Sequence, residues 1–464
     1  MEIGEGQAVV VEKKEENKKE KTTKIRLSLF FDGTLNNRTN INIRLVSAAN
    51  GSLTDEERAM VKELKGEMLA DKLQKAQTLY KKYDNEDSFL NGYTNIAKLE
   101  KYIDSNASSP YDFMLSSYVE GAGTRDEKGD RALGYGLGVG ATGVRVKVNK
   151  GLIDAINKIC KKVTRKDTVI ELLTLDVFGF SRGAATARSF IYSALLEEQS
   201  IKVRLENRNY KVDNVEVKFA GLYDTVSSHG LSFSDDTQEL HLDAVSHVHD
   251  VVHLAAADEH RENFSLTTIK SANGTGREIF LPGVHSDVGG SYRDGVGEDE
   301  DIFWTMSADG MRLAEEQVAE LINAGWYNKD ELKIKQNNQL RNKHTVNEVN
   351  VHASRKKISN MYSRIPLHVM LNFAKDSKLK FTSKIDRDQT VPSVLGNVKS
   401  EIINYVNQHK AQGSYSSKPQ DWHDNNRQWL CDLRHDYFHF SARIEIGNGP
   451  RFVNGRRQRM YYDG

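Results

Sequence analysis

Residues 168–183 read TVIELLTLDVFGFSRG. From Thr168 to Phe178 the run is almost continuously apolar and rich in β-formers, the pattern of a strand buried on both faces of a parallel sheet. It ends in Gly179-Phe180-Ser181-Arg182-Gly183, a G-x-S-x-G pentapeptide, and the following AATARSFIYSALL (184–196) has small residues and then a helical period. A serine between a buried strand and a helix is the context of a nucleophile elbow. The hydroxyl is a poor nucleophile until a base removes its proton and donors stabilise the oxyanion. Gly179 and Gly183 let neighbouring backbone approach closely, and the N–H of Arg182 points from a helix start at the developing negative charge.

Other apolar runs extend the pattern on both sides. IRLSLFFDGT (25–34), YDFMLSSYVEGAGT (111–124), VEVKFAGLY (215–223) and EIFLPGV (278–284) each end in turn or polar chemistry. Strands alternating with helices predict an α/β fold, an α/β-hydrolase-like, mostly parallel sheet flanked by helices, with helical insertions and a C-terminal extension. Lys and Glu alternate over 11–24 without an apolar face, so residues 1–23 read as a charged, disordered leader and order begins at Lys24. Residues 24–300 form the core, with a helical insert at about 42–105. Within that insert Met60, Val61, Leu64, Met68, Leu69, Leu73, Ala76 and Tyr80 recur at helical spacing, which predicts helices packed on the domain or an insert touching a membrane. Residues 301–464 read as a mainly helical region that completes the domain and offers a lid or membrane contact.

The composition excludes several classes. The chain has 464 residues with 65 Lys+Arg against 65 Asp+Glu, so no net basic charge favours a nucleic-acid partner. Two cysteines, Cys160 and Cys431, build neither a disulfide framework nor a zinc site, which fits synthesis in a reducing cytoplasm. No apolar run is long enough for a transmembrane segment, and the charged start does not read as a signal peptide.

A base and its orienting acid should follow the serine in the order acid, then histidine, at the carboxyl ends of later strands. Asp224, in GLYDTVSS (221–228), is the first functional side chain after one strand. His285, in LPGVHSDVGGSY (281–292), stands after the next. His285 is then the general base and acid, and Asp224 holds its tautomer. Asp287 is a rival acid, better suited to bracing its own loop. FFDGT resembles a phosphoaspartate motif, but Phe30 stands where the nucleophilic carboxylate would be. Asp32-Gly33-Thr34 instead follows the first strand, so Gly33 or Thr34 supplies a second oxyanion N–H and Asp32 pins the loop. In HLDAVSHVHDVVH (241–253), His249 and His253 would share one helix face; the cluster is read as a helix with partly buried histidines, without a catalytic metal. Gly136, Gly138 and Ala141 make a GxGxxA pattern with no strand before it, which argues for a turn and against a nucleotide loop. No cofactor is expected.

The landmarks LFFDGTLNN (29–37), YVEGAGT (118–124), GFSRGAATAR (179–188), GLYDTVSS (221–228) and LPGVHSDVGGSY (281–292) resemble, in order, those of the type VI secretion lipase effector family Tle1. HLAAADEHRENF (253–264), RIPLHVMLNFAK (364–375), LRHDYFHFSAR (433–443) and GPRFVNGRRQR (449–459) fit as well. Glu120 stands where the family usually has Asp, and Ala122 where a bulkier residue is common. The resemblance implies a phospholipase that cleaves glycerophospholipid esters through Ser181, Asp224 and His285. It also implies a membrane phospholipid substrate, a secretion-apparatus spike or carrier, a cognate immunity protein, and delivery by type VI secretion to the periplasm of a target cell. The same residues would also serve a carboxylesterase of soluble esters; a non-catalytic binding module and a metal-dependent lipase are the further readings.

Overall fold

The computed structural model describes residues 21–67, 69–131, 142–227, 237–341, 344–424, 426–444, 448–453 and 456–464. The glycine pattern at 136–141, Met68, Ser228 and the leader before Lys21 lie outside the described residues.

Five strands of the central sheet come in sequence as β1 (Lys21–Phe31), β2 (Phe113–Val119), β3 (Thr168–Phe180), β4 (Lys211–Tyr223) and β5 (Val248–Ala256). A short β6 (Leu266–Thr267) lies outside it, and β7 (Gly276–Leu281) is the sixth strand. The order is β2-β1-β3-β4-β5-β7, with every pairing parallel. Parallel strands need covering on both faces. One face carries the helices Val144–Lys162 and Arg182–Leu195, packed on Leu27, Leu29, Leu175 and Val177. On the other face Phe30 stacks on Phe178 with centroids 4.6 Å apart, and the helix Arg364–Asp376 covers the sheet.

Three readings from sequence are corrected. The first strand starts at Lys21, three residues before Lys24, and Thr22 and Thr23 pair with Val169 and Ile170 of β3. The histidine-rich stretch is not a helix but a short 3-10 turn, Leu242–His247, followed by β5. Val248, Val251 and Val252 mimic a helical period, yet β4 and β7 offer ladder partners on both sides, and that context decides. The C-terminal region is mixed instead of mainly helical. DIFWT closes a strand, β8 (Val296–Thr305), which pairs with β10 (His344–Ile358), and β10 also pairs with β9 (Leu332–Arg341), all antiparallel.

The insert folds into helices that include Arg38–Ser47, Asp55–Glu67 and Ala70–Tyr83. Leu64 and Leu73 pack against Ile43, Val46, Ala76 and Phe89, so the apolar stripe faces inward, while Leu69 is 73 % exposed. Glu120 forms a buried pair with Lys147 at 2.8 Å, which places the family departure in loop packing. After helices Gly396–Gln408 and Gln428–Tyr437, the chain ends in the hairpin β11 (Phe452–Val453) and β12 (Arg456–Arg457) and in β13 (Tyr461–Tyr462), which joins β6 in parallel. Among the described residues no helix is long and apolar enough to cross a membrane.

Candidate active site

Ser181 occupies the junction of β3 and the helix Arg182–Leu195 with φ 60° and ψ −129°. Such a conformation costs a non-glycine residue about 1–3 kcal/mol and persists only when its surroundings over-determine it. Here they do. The Ser181 N–H donates to the Tyr223 carbonyl at 3.0 Å, and its own carbonyl accepts from Ala184 at 3.0 Å and Val226 at 3.4 Å. The elbow is therefore stitched to both flanks of Asp224. A Cβ on Gly179 would lie 2.4 Å from the Gly183 carbonyl oxygen, and one on Gly183 would lie 2.3 Å from the carbonyl oxygens of Phe31 and Asp32. Both glycines of the pentapeptide are needed for close approach, as the motif predicts.

Asp224, also at positive φ (41°), follows β4 and is fully buried. Its N–H donates to Leu254 O at 2.8 Å, and Ala256 N–H donates back to Oδ1 at 2.8 Å. His285 opens the short helix His285–Gly289 after β7, and its Nδ1 lies 2.5 Å from Asp224 Oδ2. Nδ1–H donates to the carboxylate, which leaves Nε2 as the ring's basic position. Burial opposes the charge on Asp224, but the Arg459 guanidinium and the bond to His285 together hold its carboxyl far below the usual range. Burial depresses His285 below the ordinary histidine value, with Asp224 opposing that shift. The aromatic wall is explicit: the Phe180 ring centroid lies 4.5 Å from the imidazole and Phe264 meets it edge-on at 5.0 Å. Phe180 is the residue before Ser181, so serine and imidazole share the carboxyl end of the sheet.

On the opposite side Asp32 Oδ1 accepts from Thr94 Oγ1 at 2.7 Å and from the Gly33 N–H at 2.8 Å, while Oδ2 accepts from Tyr118 at 2.5 Å. Burial pushes the Asp32 carboxyl up to about 6. Asp32 pins the loop, but the Gly33 N–H is committed to that pin and so is not free for an oxyanion in this arrangement. Arg182 Nε donates to Thr34 Oγ1 at 2.7 Å, which draws the elbow and the Thr34 loop together. Asp287 is a loop brace: Oδ2 accepts from Val284 N–H at 3.1 Å, and Oδ1 lies 3.0 Å from His439 Nδ1.

The histidine cluster disperses. His249 meets Glu216 at the surface and the His241 ring stacks on Tyr192. His253 is buried; its Nε2 accepts from Thr225 N–H at 3.0 Å and its Nδ1 lies 2.9 Å from Glu278 Oε2. It therefore steadies the residue after Asp224. Among the described residues no three His, Cys, Asp or Glu side chains gather to hold a metal ion.

Two residues of the site escaped the reading of the sequence. Glu259 Oε2 accepts from the His285 N–H at 3.2 Å and pairs with Arg261 at 2.9 Å. Arg459 forks onto Asp224, with Nη1 to Oδ1 at 2.7 Å and Nη2 to Oδ2 at 2.8 Å. Both lie in landmark stretches, but nothing in their spacing brings them to the acid and the base.

A mostly parallel sheet flanked by helices, with an elbow serine and a buried acid–histidine pair at the carboxyl ends of its strands, is an α/β-hydrolase-like fold. The family model of the catalytic domain of type VI secretion Tle1-like phospholipase effectors matches residues 196–309, a span that holds Asp224 and His285. A solved Tle1 effector bound to the VgrG spike of the type 6 secretion system has the same fold, with TM-score 0.61 and 22 % identity over 95 % of this chain and 94 % of that one. An uncharacterised protein from Pseudomonas aeruginosa aligns with TM-score 0.40 and 15 % identity over 86 % of this chain and 52 % of that one. No curated protein matches. The chain is thus similar to the Tle1-like effectors in sequence over residues 196–309, a quarter of its length, and in fold over nearly its whole length.

Proposed function

We propose that the protein is a type VI secretion phospholipase effector that hydrolyses a glycerophospholipid ester through an acyl-enzyme on Ser181. The observation that carries this reading is the 2.5 Å Asp224–His285 pair, whose imidazole lies 4.5 Å from the ring of Phe180, the residue before a serine held at positive φ. His285 Nε2 takes the Ser181 hydroxyl proton as Oγ attacks the ester carbonyl. The N–H of Arg182, and that of Thr34 in place of the committed Gly33, stabilise the oxyanion. The tetrahedral intermediate collapses, the lysophospholipid alkoxide takes the proton from His285, and the acyl group stays on Ser181. Water, deprotonated by His285, then releases the fatty acid and restores the hydroxyl. Burial lowers His285 and so favours the neutral imidazole that can accept the Ser181 proton.

The family match supports a lipid substrate. Trp304, Met306 and Phe452 are 40 %, 50 % and 39 % exposed, which offers apolar surface for a bilayer. Leu64 and Leu73 do not, since they pack inward. In this reading the effector travels on a secretion spike, is restrained at home by an immunity protein and acts in a target periplasm.

The test is incubation with vesicles of phosphatidylethanolamine and phosphatidylglycerol, with products resolved by mass. Wild type releases fatty acid and lysolipid, and Ser181→Ala loses at least about 10⁴-fold. Turnover of a soluble short-chain ester without vesicle cleavage would make the protein a carboxylesterase. Full activity in folded Ser181→Ala would end the serine mechanism.

A further inference from the structure

Asp224 is bonded more heavily than orienting a histidine requires. Oδ1 takes the Ala256 N–H and Arg459 Nη1, while Oδ2 takes Arg459 Nη2 and His285 Nδ1. The guanidinium reaches the carboxylate from 235 positions later in the chain, and both side chains are buried. Its own placement is tight. Arg459 Nε donates to Phe264 O at 2.7 Å, Gln458 N–H to Arg451 O at 3.0 Å, and Met460 O accepts from Leu266 N–H at 2.9 Å. The following β13 pairs with β6, and Thr267 of β6 donates to the Thr225 carbonyl at 3.0 Å, beside Asp224 itself. The C-terminal segment and the loop bearing the acid are thus one hydrogen-bonded unit.

We propose that Arg459 is a positioning residue for the reaction: its planar fork fixes the Asp224 carboxylate so that Oδ2 faces His285 Nδ1. The proposal deepens the triad reading above and rests on it. A forked arginine sets the plane of a carboxylate as well as its position, which a lysine ammonium does not. Without the fork, one donor remains on each oxygen and the carboxylate is held less firmly against rotation about its Cβ–Cγ bond. The imidazole then loses the fixed alignment that the proposed proton transfer from Ser181 needs, and misplacement of this kind costs rate more than substrate binding.

Arg459 also carries charge, which gives a second readout. The charged groups facing His285 are Asp224 from β4, Glu259 and Arg261 from the loop after β5, and Arg459 from the C-terminal segment. Removing the Arg459 cation makes the imidazolium easier to form, so the acid limb of kcat/KM moves to higher pH. A purely structural arginine would move neither kcat against KM nor that limb.

The experiment compares Arg459→Gln, Arg459→Lys and Ser181→Ala with wild type on p-nitrophenyl butyrate, after thermal melting shows which variants are folded. Arg459→Gln is expected to lose about 10²-fold in kcat with KM little changed, and to shift the acid limb upward. Arg459→Lys keeps the charge and loses the fork, so it recovers part of kcat and leaves the limb near wild type. If Arg459→Gln does not fold, Arg459→Lys decides alone: a lowered kcat supports the proposal, and wild-type kcat overturns it. Folded Arg459→Gln with wild-type kcat and pH profile overturns it equally. An active Ser181→Ala fails the serine reading itself and is distinguishable from either outcome.

Discussion

The two halves of the site are built by different means. The serine half is backbone: a strained residue, two glycines where a Cβ would strike a carbonyl, and a helix start, all between Gly179 and Gly183 with the Asp32 loop beside them. The acid–base half is side chains: Asp224, His285, Glu259 and Arg459 come from four separate stretches and meet by hydrogen bonds and charge. Local sterics make the first half stiff. The second depends on long-range docking, and each buried charge there needs its partners.

After loss of Ser181 itself, breaking the acid–base half should cost most. Asp224→Asn removes the charge that sets the histidine tautomer and leaves Arg459 buried without its carboxylate. Steady-state turnover should fall about 10⁴-fold, and a loss under tenfold would remove Asp224 from the mechanism. In the serine half, Gly183→Ala forces a Cβ to 2.3 Å from two carbonyl oxygens. Urea unfolding should show a loss of about 1–3 kcal/mol together with reduced activity, and an unaltered midpoint would mean the elbow is not tightly packed.

Titration sharpens the contrast further. Burial lowers His285, so the wild-type acid limb of kcat/KM should lie below about 6.5, the ordinary histidine value. A limb above that value would contradict a buried, neutral base. The smallest effect is expected from Glu259→Gln. Its negative charge supports the imidazolium, so neutralising it should move the limb to still lower pH by less than about one unit, opposite in sign to Arg459→Gln.

Two buried arginine–aspartate forks show how context sets the outcome. Arg26 forks onto Asp176 across β1 and β3 at 2.8 Å, yet burial dominates there and the Asp176 carboxyl is raised. At Asp224 a similar fork is joined by the histidine, and the carboxyl falls. Nothing in the sequence around either aspartate shows which arginine forks onto it.

The elbow was legible because its cause is local. Gly179, Ser181 and Gly183 sit within five residues, and the strand before and helix after them show their own periods. Asp224 and His285 were legible through a rule, that polar residues at the carboxyl ends of parallel strands meet over one sheet. β5 reads as a helix in the sequence because His249 and His253 stand four apart, until β4 and β7 supply hydrogen-bond partners on both sides. The sequence points to Gly33 as an oxyanion donor because spacing cannot tell that Asp32 already holds its N–H.

Residue order alone determined the parallel α/β layering, the serine turn and the order acid then histidine, because each follows from steric rules spanning a few residues. Tertiary structure alone decided that a C-terminal arginine and a glutamate brace that pair. Charges that meet across hundreds of positions leave no periodic trace in the chain, and only the folded core brings them together and withdraws the water that would screen them.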